Sequence, residues 1–297
     1  MSERKIAVMK FSALGDIAAC LQFMRSLDPN TYIITSPLGR SFLEDEFSNF
    51  LVLEDKTIKS HIKLIREIRK HDFHDIIDLQ GNDRCRLLSK LCRIASHTTT
   101  HNGYDPNSKY QPFSNLVQEI SNKVNVTRNY QPKPREYIIL NTGSSAKWSA
   151  KRPPAWKWKE FATILDQRFG LPFKLTGSEI EIDHVMSIAS VLPFETEVVA
   201  GKTSLIELKV LCRNAFLTVS TDSAAMHISA AEGTPTIGIF GSTTQKSIPA
   251  SPWATAVWDN SYYPNGNLPK CTSDIGNYYD NIILEDGLQK LEQFLQI

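Results

Sequence analysis

The sequence lacks the features that mark secreted or membrane proteins. Its five cysteines include no C-x-x-C pair and are scattered among apolar segments, which is typical of reduced thiols rather than of a disulfide framework. No apolar run approaches the roughly 18 residues of a membrane-spanning helix, and the N-terminus enters directly into a strand pattern. We therefore expect a cytoplasmic protein.

The sequence also lacks an excess of charge. Lysine and arginine number 33 against 32 aspartates and glutamates, which gives a formal net charge of +1 at pH 7. A chain with this balance has no bulk attraction for polyanions, so nucleic acid is not an expected partner. Local basic patches are compatible with this balance.

What the sequence does have is a regular alternation of apolar strands and helices. At 297 residues, with 41% hydrophobic and 22% charged residues, it is long enough for two domains. The predicted strands cover 5–9, 32–35, 50–53, 75–79, 97–102, 137–140, 173–176, 197–199, 215–219 and 236–240. The predicted helices cover 17–27, 42–47, 58–70, 84–94, 113–121, 155–169, 180–190, 204–214, a stretch after residue 222, and 283–297. This alternation predicts βαβ units and parallel sheets with helices on both faces.

A polar segment divides the pattern into halves. Residues 125–136, NVTRNYQPKPRE, contain Pro132 and Pro134, which neither a central strand nor a helix accommodates. The sequence therefore predicts an α/β protein of two Rossmann-like domains, 1–130 and 131–297, that face each other across a cleft. The C-terminal helix is expected within its own domain or packed back on the N-terminal one. Ligands of open α/β sheets bind beyond the carboxyl ends of the strands, so the loops at those ends are the candidates.

Two loops of the first half carry candidate side chains. KFSALGD contains Ser12 and Gly15 and ends in Asp16, whose carboxylate either caps the next helix or serves as a general base. DLQGNDR offers the amides of Gln80 and Asn82 to sugar hydroxyls, although Gly-Asn-Asp is also ordinary turn chemistry.

A basic segment, KTIKSHIKLIREIRKH at 56–71, lies between these loops. Its isoleucines recur at helical spacing and predict an apolar face toward the core. Its basic residues lie on or beside the opposite face: Lys56, Lys59, Lys63, Arg66, Arg69 and Lys70. The segment is either a solvated surface or a basic patch for an acidic acceptor or an anionic membrane surface.

The second half offers a phosphate cradle. The loop NTGSS, with Thr142 and Gly143, leads through Lys147 and Lys151 into a helix preceded by proline, although no P-loop motif is present. The loop TGSEIE at 176–181 places Gly177, Glu179 and Glu181 at a helix start. Those carboxylates either cap that helix or bind ribose hydroxyls.

The stretch VSTDSAAMHIS is the strongest candidate for an anion site. A cap at Thr221 or Asp222 would leave the backbone N–H groups of the next helix, at Ala224, Ala225 and Met226, for a phosphate. His227 is either a buried helix residue or a donor to the same anion. No second histidine or cysteine stands at ligand spacing, so no metal is expected.

Five motifs together resemble a known family, and they span nearly the whole chain. They are KFSALGD, IDLQGNDR, AKRPPAWKWKEFA, LTGSEIE and TDSAAMHISAAEGTPTIGIFGSTT. Their order and rough spacing resemble those of the bacterial heptosyltransferases of glycosyltransferase family nine. The resemblance implies the GT-B architecture, with an acceptor-binding N-terminal domain and a nucleotide-sugar-binding C-terminal domain.

The resemblance also implies roles for single residues. Asp16 looks like the base that deprotonates the acceptor hydroxyl, which then attacks the anomeric carbon with inversion. Lys151 and the helix N-terminus after Asp222 would neutralise the departing diphosphate, so neither a metal nor another cofactor is implied. The remaining donor contacts would come from Asp222 to the sugar, Glu179 or Glu181 to the ribose, and Thr203 to the base. Ser223 would also belong to the nucleotide-sugar-binding residues.

The substrates are implied in the same way. The donor would be ADP-heptose, and the acceptor an anionic, lipid-linked, Kdo- or heptose-bearing inner core of lipopolysaccharide. The acceptor would meet Ser12, Gly15 and Gln80, with Lys59, Lys63 and Arg66 on its anionic part. The protein would then lie in the cytoplasm, with peripheral contact at the inner face of the inner membrane. Three alternatives stay open: a different nucleotide sugar, a sugar-nucleotide epimerase on the same architecture, and a non-catalytic member that binds nucleotide or glycan.

Overall fold

The computed structural model describes residues 5–98, 131–243, 245–249, 251–259, 261 and 278–295. The chain divides into two compact units, Met1–Arg128 and Asn129–Ile297. The helix expected at 113–121, the first part of the polar segment and Cys271 lie outside the described residues.

The first unit contains a parallel sheet of five strands in the order β3-β2-β1-β4-β5. Its elements are β1 (Ile6–Met9), α1 (Leu14–Ala19), α2 (Leu21–Arg25), β2 (Tyr32–Thr35), α3 (Pro37–Leu43), β3 (Phe50–Val52), α4 (Ile58–Lys70), β4 (Asp75–Asp78), α5 (Asp83–Cys92) and β5 (Ala95–Thr98). Leu64 and Ile68 of α4 and Leu88 of α5 pack into its core. Because β1 and β4 are neighbours, the loops after Met9 and Asp78 lie side by side.

The second unit contains a parallel sheet of six strands in the order β11-β10-β9-β6-β7-β8. Its strands are β6 (Ile138–Asn141), β7 (Phe173–Thr176), β8 (Thr196–Val198), β9 (Leu217–Thr221), β10 (Thr236–Phe240) and β11 (Ala254–Trp258). Its α-helices are α6 (Ala155–Phe169), α7 (Ile182–Ala189), α8 (Leu205–Asn214), α9 (Ala224–Ala231), α10 (Leu284–Lys290) and α11 (Glu292–Leu295). Short 3-10 helices cover Ala146–Lys151 and Glu179–Glu181. The order places the carboxyl ends of β9, β6 and β7 next to one another.

Two helices of the first unit differ from the sequence prediction. The helix expected over 17–27 is two short helices, α1 and α2, which meet at Cys20. The prediction of a helix over 42–47 is wrong, because α3 begins at Pro37 and ends at Leu43. Ser36 caps it by accepting the Gly39 N–H at 3.2 Å, and proline suits the first turn of a helix.

The second unit departs from the prediction at three places. The strand expected over 215–219 runs from Leu217 to Thr221, so Ser220 and Thr221 are fully buried strand residues rather than a loop. Strand β11 was not predicted. The single C-terminal helix is two helices that meet at Leu291, and their leucines lie in the core of this unit.

Helix α4 forms over the predicted residues but turns a different face to the core. Leu64 and Ile68 are buried, whereas Ile58 is 80% exposed and Ile62 is 44% exposed. At 3.6 residues per turn, Ile62 lies roughly 120° around the helix from Ile68. The spacing of the isoleucines therefore does not identify the buried face of α4, and two of the isoleucines, Ile58 and Ile62, are exposed to solvent.

Burial sets the state of the cysteines. The four described cysteines (Cys20, Cys85, Cys92 and Cys212) are free and buried. Burial raises the pKa of Cys20 and of Cys212 to about 12, so both are neutral thiols at physiological pH. Among the helices of the described ranges, none combines the length and apolarity needed to cross a bilayer.

Candidate active site

In the first unit, the side chain of Gln80 joins the two adjacent loops. Its Oε1 accepts the Phe11 N–H at 3.0 Å and the Ser12 N–H at 3.1 Å. The sequence predicts Gln80 as a ligand of sugar hydroxyls. In the structure its carbonyl oxygen fixes the loop that leads to Asp16.

Other side chains hold the same loop through its carbonyl groups. Thr35 Oγ1 donates to the Lys10 carbonyl at 2.6 Å, and Ser36 Oγ donates to the Phe11 carbonyl at 2.7 Å. The buried Lys10 ammonium donates to the Leu79 carbonyl at 3.1 Å. Together with the bonds from Gln80, these contacts fix the backbone of this loop as far as Ser12, whose side chain is exposed.

Asp78 supports Gln80 from beneath. Its Oδ1 accepts the N–H groups of Gln80 and Gly81, each at 2.9 Å. Burial raises the pKa of Asp78, although these two bonds and the charge of Lys10 act in the opposite direction. The turn after β4 is therefore organised around a buried carboxyl group.

Asp16 is the third residue of α1, not a residue at or before its start. Its Oδ2 accepts the Ala13 N–H at 3.1 Å, and Ala13 occupies the cap position without a capping side chain. The half-buried Asp16 carboxylate therefore stabilises the first turn from within the helix, and the preceding Gly15 is also half-buried. On α4, the side chains of Lys59 and Lys63 are exposed, as the sequence predicts.

In the second unit, a buried polar network joins the carboxyl ends of β6, β7 and β9. Asn141 is its centre: its Nδ2 donates to Ser220 Oγ at 3.2 Å and to Ser223 Oγ at 2.8 Å. Thr176 Oγ1 donates to Asn141 Oδ1 at 3.0 Å, and Thr221 Oγ1 donates to the Gly143 carbonyl. One asparagine thus sets the positions of three loops.

Lys151 and Asp222 form an ion pair on this network. The Lys151 ammonium lies 2.8 Å from Asp222 Oδ2 and 3.3 Å from the Asp222 carbonyl oxygen. The side chains are only 18% and 11% exposed, so the pair is held in a partly desolvated place. The half-buried Trp148 ring lies beside it, with its centroid 5.5 Å from the Lys151 ammonium.

Helix α9 begins directly after this pair. Its cap residue is Ser223, rather than Thr221 or Asp222, and the Ser223 side chain makes no capping hydrogen bond. The backbone N–H groups of its first turn are therefore not occupied by a side-chain cap, as an anion site requires. The first turn leads through Ala224 and Ala225 into the interior.

Three of the four predicted donor-binding residues on α9 are buried: Ala225, Met226 and His227. Met226 packs against Phe240 and Ala256, and His227 is 3% exposed. The buried interpretation of His227 is therefore correct. Contact between Met226 and a ligand would come from its backbone.

The loop after β6 is braced from two sides. Arg152 donates to the Ser144 carbonyl and, from Nε, to Ser144 Oγ at 3.3 Å. His184 Nε2 lies 3.0 Å from the Thr142 carbonyl, and burial lowers the pKa of His184. Thr142 Oγ1 is buried and makes no hydrogen bond within the described residues.

The two glutamates predicted at the ribose differ in their surroundings. Glu181 Oε2 accepts the Ser178 N–H at 2.8 Å, and its Oε1 lies 4.0 Å from Arg152. The capping interpretation therefore holds for Glu181, whereas Glu179 is exposed.

The surroundings of Gly143, Gly177 and Thr203 show close packing at the two glycines and partial exposure of the threonine. A Cβ on Gly143 would lie 2.4 Å from Glu181 Oε1, and one on Gly177 would lie 2.9 Å from Val185. Thr203, in the loop before α8, is partly exposed. Within the described ranges, no three His, Cys, Asp or Glu side chains are grouped as a metal site requires.

Asn141 and Arg152 are the residues that sequence reasoning missed. Asn141 ends an otherwise apolar strand, where a buried amide needs several partners, and that position was the available signal. Arg152 follows Lys151 directly, and nothing in the sequence separates the lysine that pairs with Asp222 from the arginine that holds the loop.

The chain is similar to known proteins in sequence and in fold. Lipopolysaccharide heptosyltransferase 1 of Campylobacter coli is 23% identical, over 80% of this chain and 84% of that protein. The structure of the glycosyl transferase family 9 protein of Veillonella parvula superposes with a TM-score of 0.72, at 18% identity over 99% of this chain and 97% of that one. Escherichia coli heptosyltransferase WaaC with ADP-2-deoxy-2-fluoro heptose gives a TM-score of 0.65, at 16% identity over 85% of this chain and 92% of that one.

The two parallel-sheet units and their likeness to solved structures define the GT-B architecture. The model of glycosyltransferase family 9 (heptosyltransferase) matches residues 108–274, more than half of the sequence. The chain belongs to that family.

Proposed function

We propose that this protein transfers heptose from ADP-heptose, with inversion, to a Kdo- or heptose-bearing inner-core acceptor of lipopolysaccharide. The observation that carries the proposal is the Lys151–Asp222 ion pair at the start of α9. A partly desolvated ammonium beside uncapped helix N–H groups suits a diphosphate leaving group. The names of the relatives support the heptose and the lipopolysaccharide.

The second unit binds the donor in this proposal. Lys151 and the N–H groups of Ala224, Ala225 and Met226 hold the diphosphate, beside Thr142, Gly143 and Gly177. The buried Thr142 hydroxyl supports a polar ligand at this end of the sheet, because buried hydroxyls are nearly always hydrogen-bonded.

Its remaining contacts to the donor follow from their places in the loops. Asp222 and Ser223 contact the sugar, with His227 buried behind them. The exposed Glu179 is the better candidate for the ribose, because Glu181 is already engaged with Ser178. Thr203 lies beside the base in this assignment.

Asp16 is the base in this proposal. Its carboxylate removes the proton from the acceptor hydroxyl, whose oxygen bonds to the anomeric carbon as the bond from that carbon to the distal phosphate oxygen of ADP breaks. ADP leaves with the electron pair, and Lys151 balances its charge. Lys151 and the N–H groups at the start of α9 supply the positive charge that the leaving group needs, so the proposal includes no metal or cofactor.

The first unit binds the acceptor. Ser12, Gly15 and Gln80 lie in the two joined loops, and Lys59, Lys63 and Arg66 attract the anionic groups of a lipid-linked saccharide. We place this reaction in the cytoplasm, at the inner face of the inner membrane.

Calorimetric binding of ADP, UDP and GDP without added metal tests the donor. Binding of ADP alone is the expected result. A preference for UDP or GDP would replace the donor by another nucleotide sugar, and binding of none would favour a non-catalytic member.

Transfer assays with the Asp16→Asn variant test the base. Asparagine retains an oxygen that accepts the Ala13 N–H but cannot take a proton, so kcat should fall by about 10²–10⁴. ADP affinity should stay within a few-fold of the wild type, and Asp83→Asn, at an exposed position on α5, is the control. Normal turnover of Asp16→Asn would remove Asp16 from this role. Epimerisation of the donor sugar by the Asp16→Asn variant would point to the epimerase alternative.

A further inference from the structure

The outer face of α4 combines bare apolar and basic side chains. Ile58 is 80% exposed and Ile62 is 44% exposed, and these residues lie one turn apart on the same side of the helix. Lys59, Lys63 and Arg66 are exposed beside them. We call these five residues the α4 face.

The α4 face lies opposite the helix's buried side. At 3.6 residues per turn its five members fall within an arc of roughly 140°, and Leu64 and Ile68 lie on the far side of the helix. Leu64 and Ile68 are anchored in the core of the first unit. Because these two core residues fix the rotation of α4, the α4 face points to solvent.

The neighbouring helix also carries exposed apolar side chains. Arg69 Nη2 donates to the Leu91 carbonyl of α5 at 2.5 Å, so the two helices are joined side by side. On α5, Leu87 is 56% exposed and Leu91 is 45% exposed. Apolar side chains of both helices are thus open to solvent on the first unit.

The charge of α4 indicates which kind of partner this surface binds. The acidic residue of the helix, Glu67, is paired with Lys70 at 2.7 Å, so Lys59, Lys63 and Arg66 are not neutralised within the helix. Isoleucines bordered by basic residues match a surface whose anionic headgroups overlie hydrocarbon. The complementary partner is an anionic bilayer.

A second protein chain fits this surface less well. A helix of 13 residues is about 20 Å long and about 10 Å wide, which gives a face of roughly 200 Å². A stable protein interface covers about 800 Å² on each partner. The surface is adequate for shallow insertion of two isoleucines but small for a dimer.

We propose that the α4 face docks the first unit on an anionic membrane surface. The inference deepens the proposed function, because a lipid-linked acceptor lies in a bilayer, but it is tested without donor or acceptor. Docking there would bring the loops of the first unit close to the plane in which such an acceptor lies.

Co-sedimentation with vesicles tests the proposal. The full-length protein is mixed with vesicles of phosphatidylglycerol and phosphatidylcholine, and with vesicles of phosphatidylcholine alone, at low and high salt. Ile58→Ser/Ile62→Ser should lower binding to the anionic vesicles about tenfold, because both side chains leave the acyl boundary. Ile180→Ser is the matched control, since Ile180 is 81% exposed on the second unit.

The expected pattern is binding to anionic vesicles that weakens with salt, falls in the double variant and is unchanged in Ile180→Ser. Absence of wild-type binding to anionic vesicles would overturn the proposal, as would equal binding by the double variant. A shift of oligomeric state in the double variant would instead assign the surface to a second copy. Transfer to a detergent-solubilised acceptor is measured in parallel, so that loss of docking and loss of the proposed function are told apart.

Discussion

At the scale of single residues, the Lys151–Asp222 pair sets the charge of the proposed donor site. An ammonium and a carboxylate 2.8 Å apart, both mostly buried, stabilise each other, and removal of one leaves the other uncompensated. A diphosphate would add a second anion beside Lys151. The lysine therefore has a structural role and a proposed ligand role, which different variants separate.

Lys151→Ala should weaken ADP binding at least about tenfold, which corresponds to about 1.4 kcal/mol. It should also lower the free energy of unfolding, because Asp222 loses its partner. The double variant Lys151→Ala/Asp222→Asn should recover stability without recovering ADP affinity. Calorimetry and urea unfolding measure the two effects. Lys147→Ala is the control, because Lys147 is exposed and its ammonium also lies beside the Trp148 ring. ADP affinity equal to that of the wild type in Lys151→Ala would contradict the assignment.

Gln80 acts on Asp16 only through the backbone of the loop that precedes it. Gln80→Leu removes the acceptor of the Phe11 and Ser12 N–H groups and should lower kcat about 10- to 100-fold, since small misplacements of a base are costly. Gln80→Glu keeps an oxygen in place and should recover most of the rate. ADP affinity should be equal in both variants. A raised KM for the acceptor with an unchanged kcat in Gln80→Leu would instead make Gln80 an acceptor ligand.

At the scale of elements, the segment before α10 supports the loop that carries Lys151. The buried Tyr279 hydroxyl donates to the Ala150 carbonyl at 2.7 Å, and the ring fills the space over Gly241, where a Cβ would lie 2.2 Å from it. Tyr137 makes a comparable bond, at 2.8 Å, to the Leu211 carbonyl away from the site. The two tyrosines form a matched pair.

Tyr279→Phe and Tyr137→Phe should each cost about 1 kcal/mol of the free energy of unfolding, because each loses one hydrogen bond from a tyrosine hydroxyl to a backbone carbonyl. Only Tyr279→Phe should also weaken ADP binding, by about two- to fivefold, through greater freedom of the residue before Lys151. Urea unfolding and calorimetry on both variants check this. Equal ADP affinities in the two variants would show that the bond to Ala150 supports stability alone.

Sequence patterns predict elements well where local signals and packing agree. Helix α8 is capped at the predicted start, where Ser204 Oγ accepts the Glu207 N–H, and α6 matches its predicted bounds. For α4 the pattern predicted the helix and its bounds but not its buried face, because periodicity shows that a helix has an apolar stripe but not whether the fold covers it. It failed for α3, where the start signal at Ser36 and Pro37 was missed.

The site shows the same division. Loops at the carboxyl ends of strands were predicted from alternation alone, and the structure brings the ends of β6, β7 and β9 together through Asn141. The pairing of Lys151 with Asp222 joins residues 71 positions apart, and no local pattern encodes it. Which glutamate is engaged by Ser178 likewise depends on the turn geometry. The catalytic and ligand roles of these residues stay predictions.

At the scale of the whole molecule, tryptophan fluorescence reports one unit selectively. The sequence has five tryptophans, and all of them (Trp148, Trp156, Trp158, Trp253 and Trp258) fall in the second unit. The ring of His184, beside the Thr142 carbonyl, is in the same unit. Its Nε2 must donate this bond, because a carbonyl oxygen only accepts.

The pH dependence of the second unit should reveal His184. Burial lowers the pKa of His184 below its ordinary value of 6.5, so the folded state binds fewer protons than the unfolded chain. The stability linked to this group is present above pH 6.5 and is lost as the pH falls through and below that value. The urea midpoint detected by tryptophan fluorescence should therefore fall between about pH 7.5 and pH 5.5. His184→Gln keeps a donor for the Thr142 carbonyl but does not titrate, so its midpoint should fall less over the same range. An equal fall in both proteins would mean that His184 makes no contribution to the acid sensitivity of this unit.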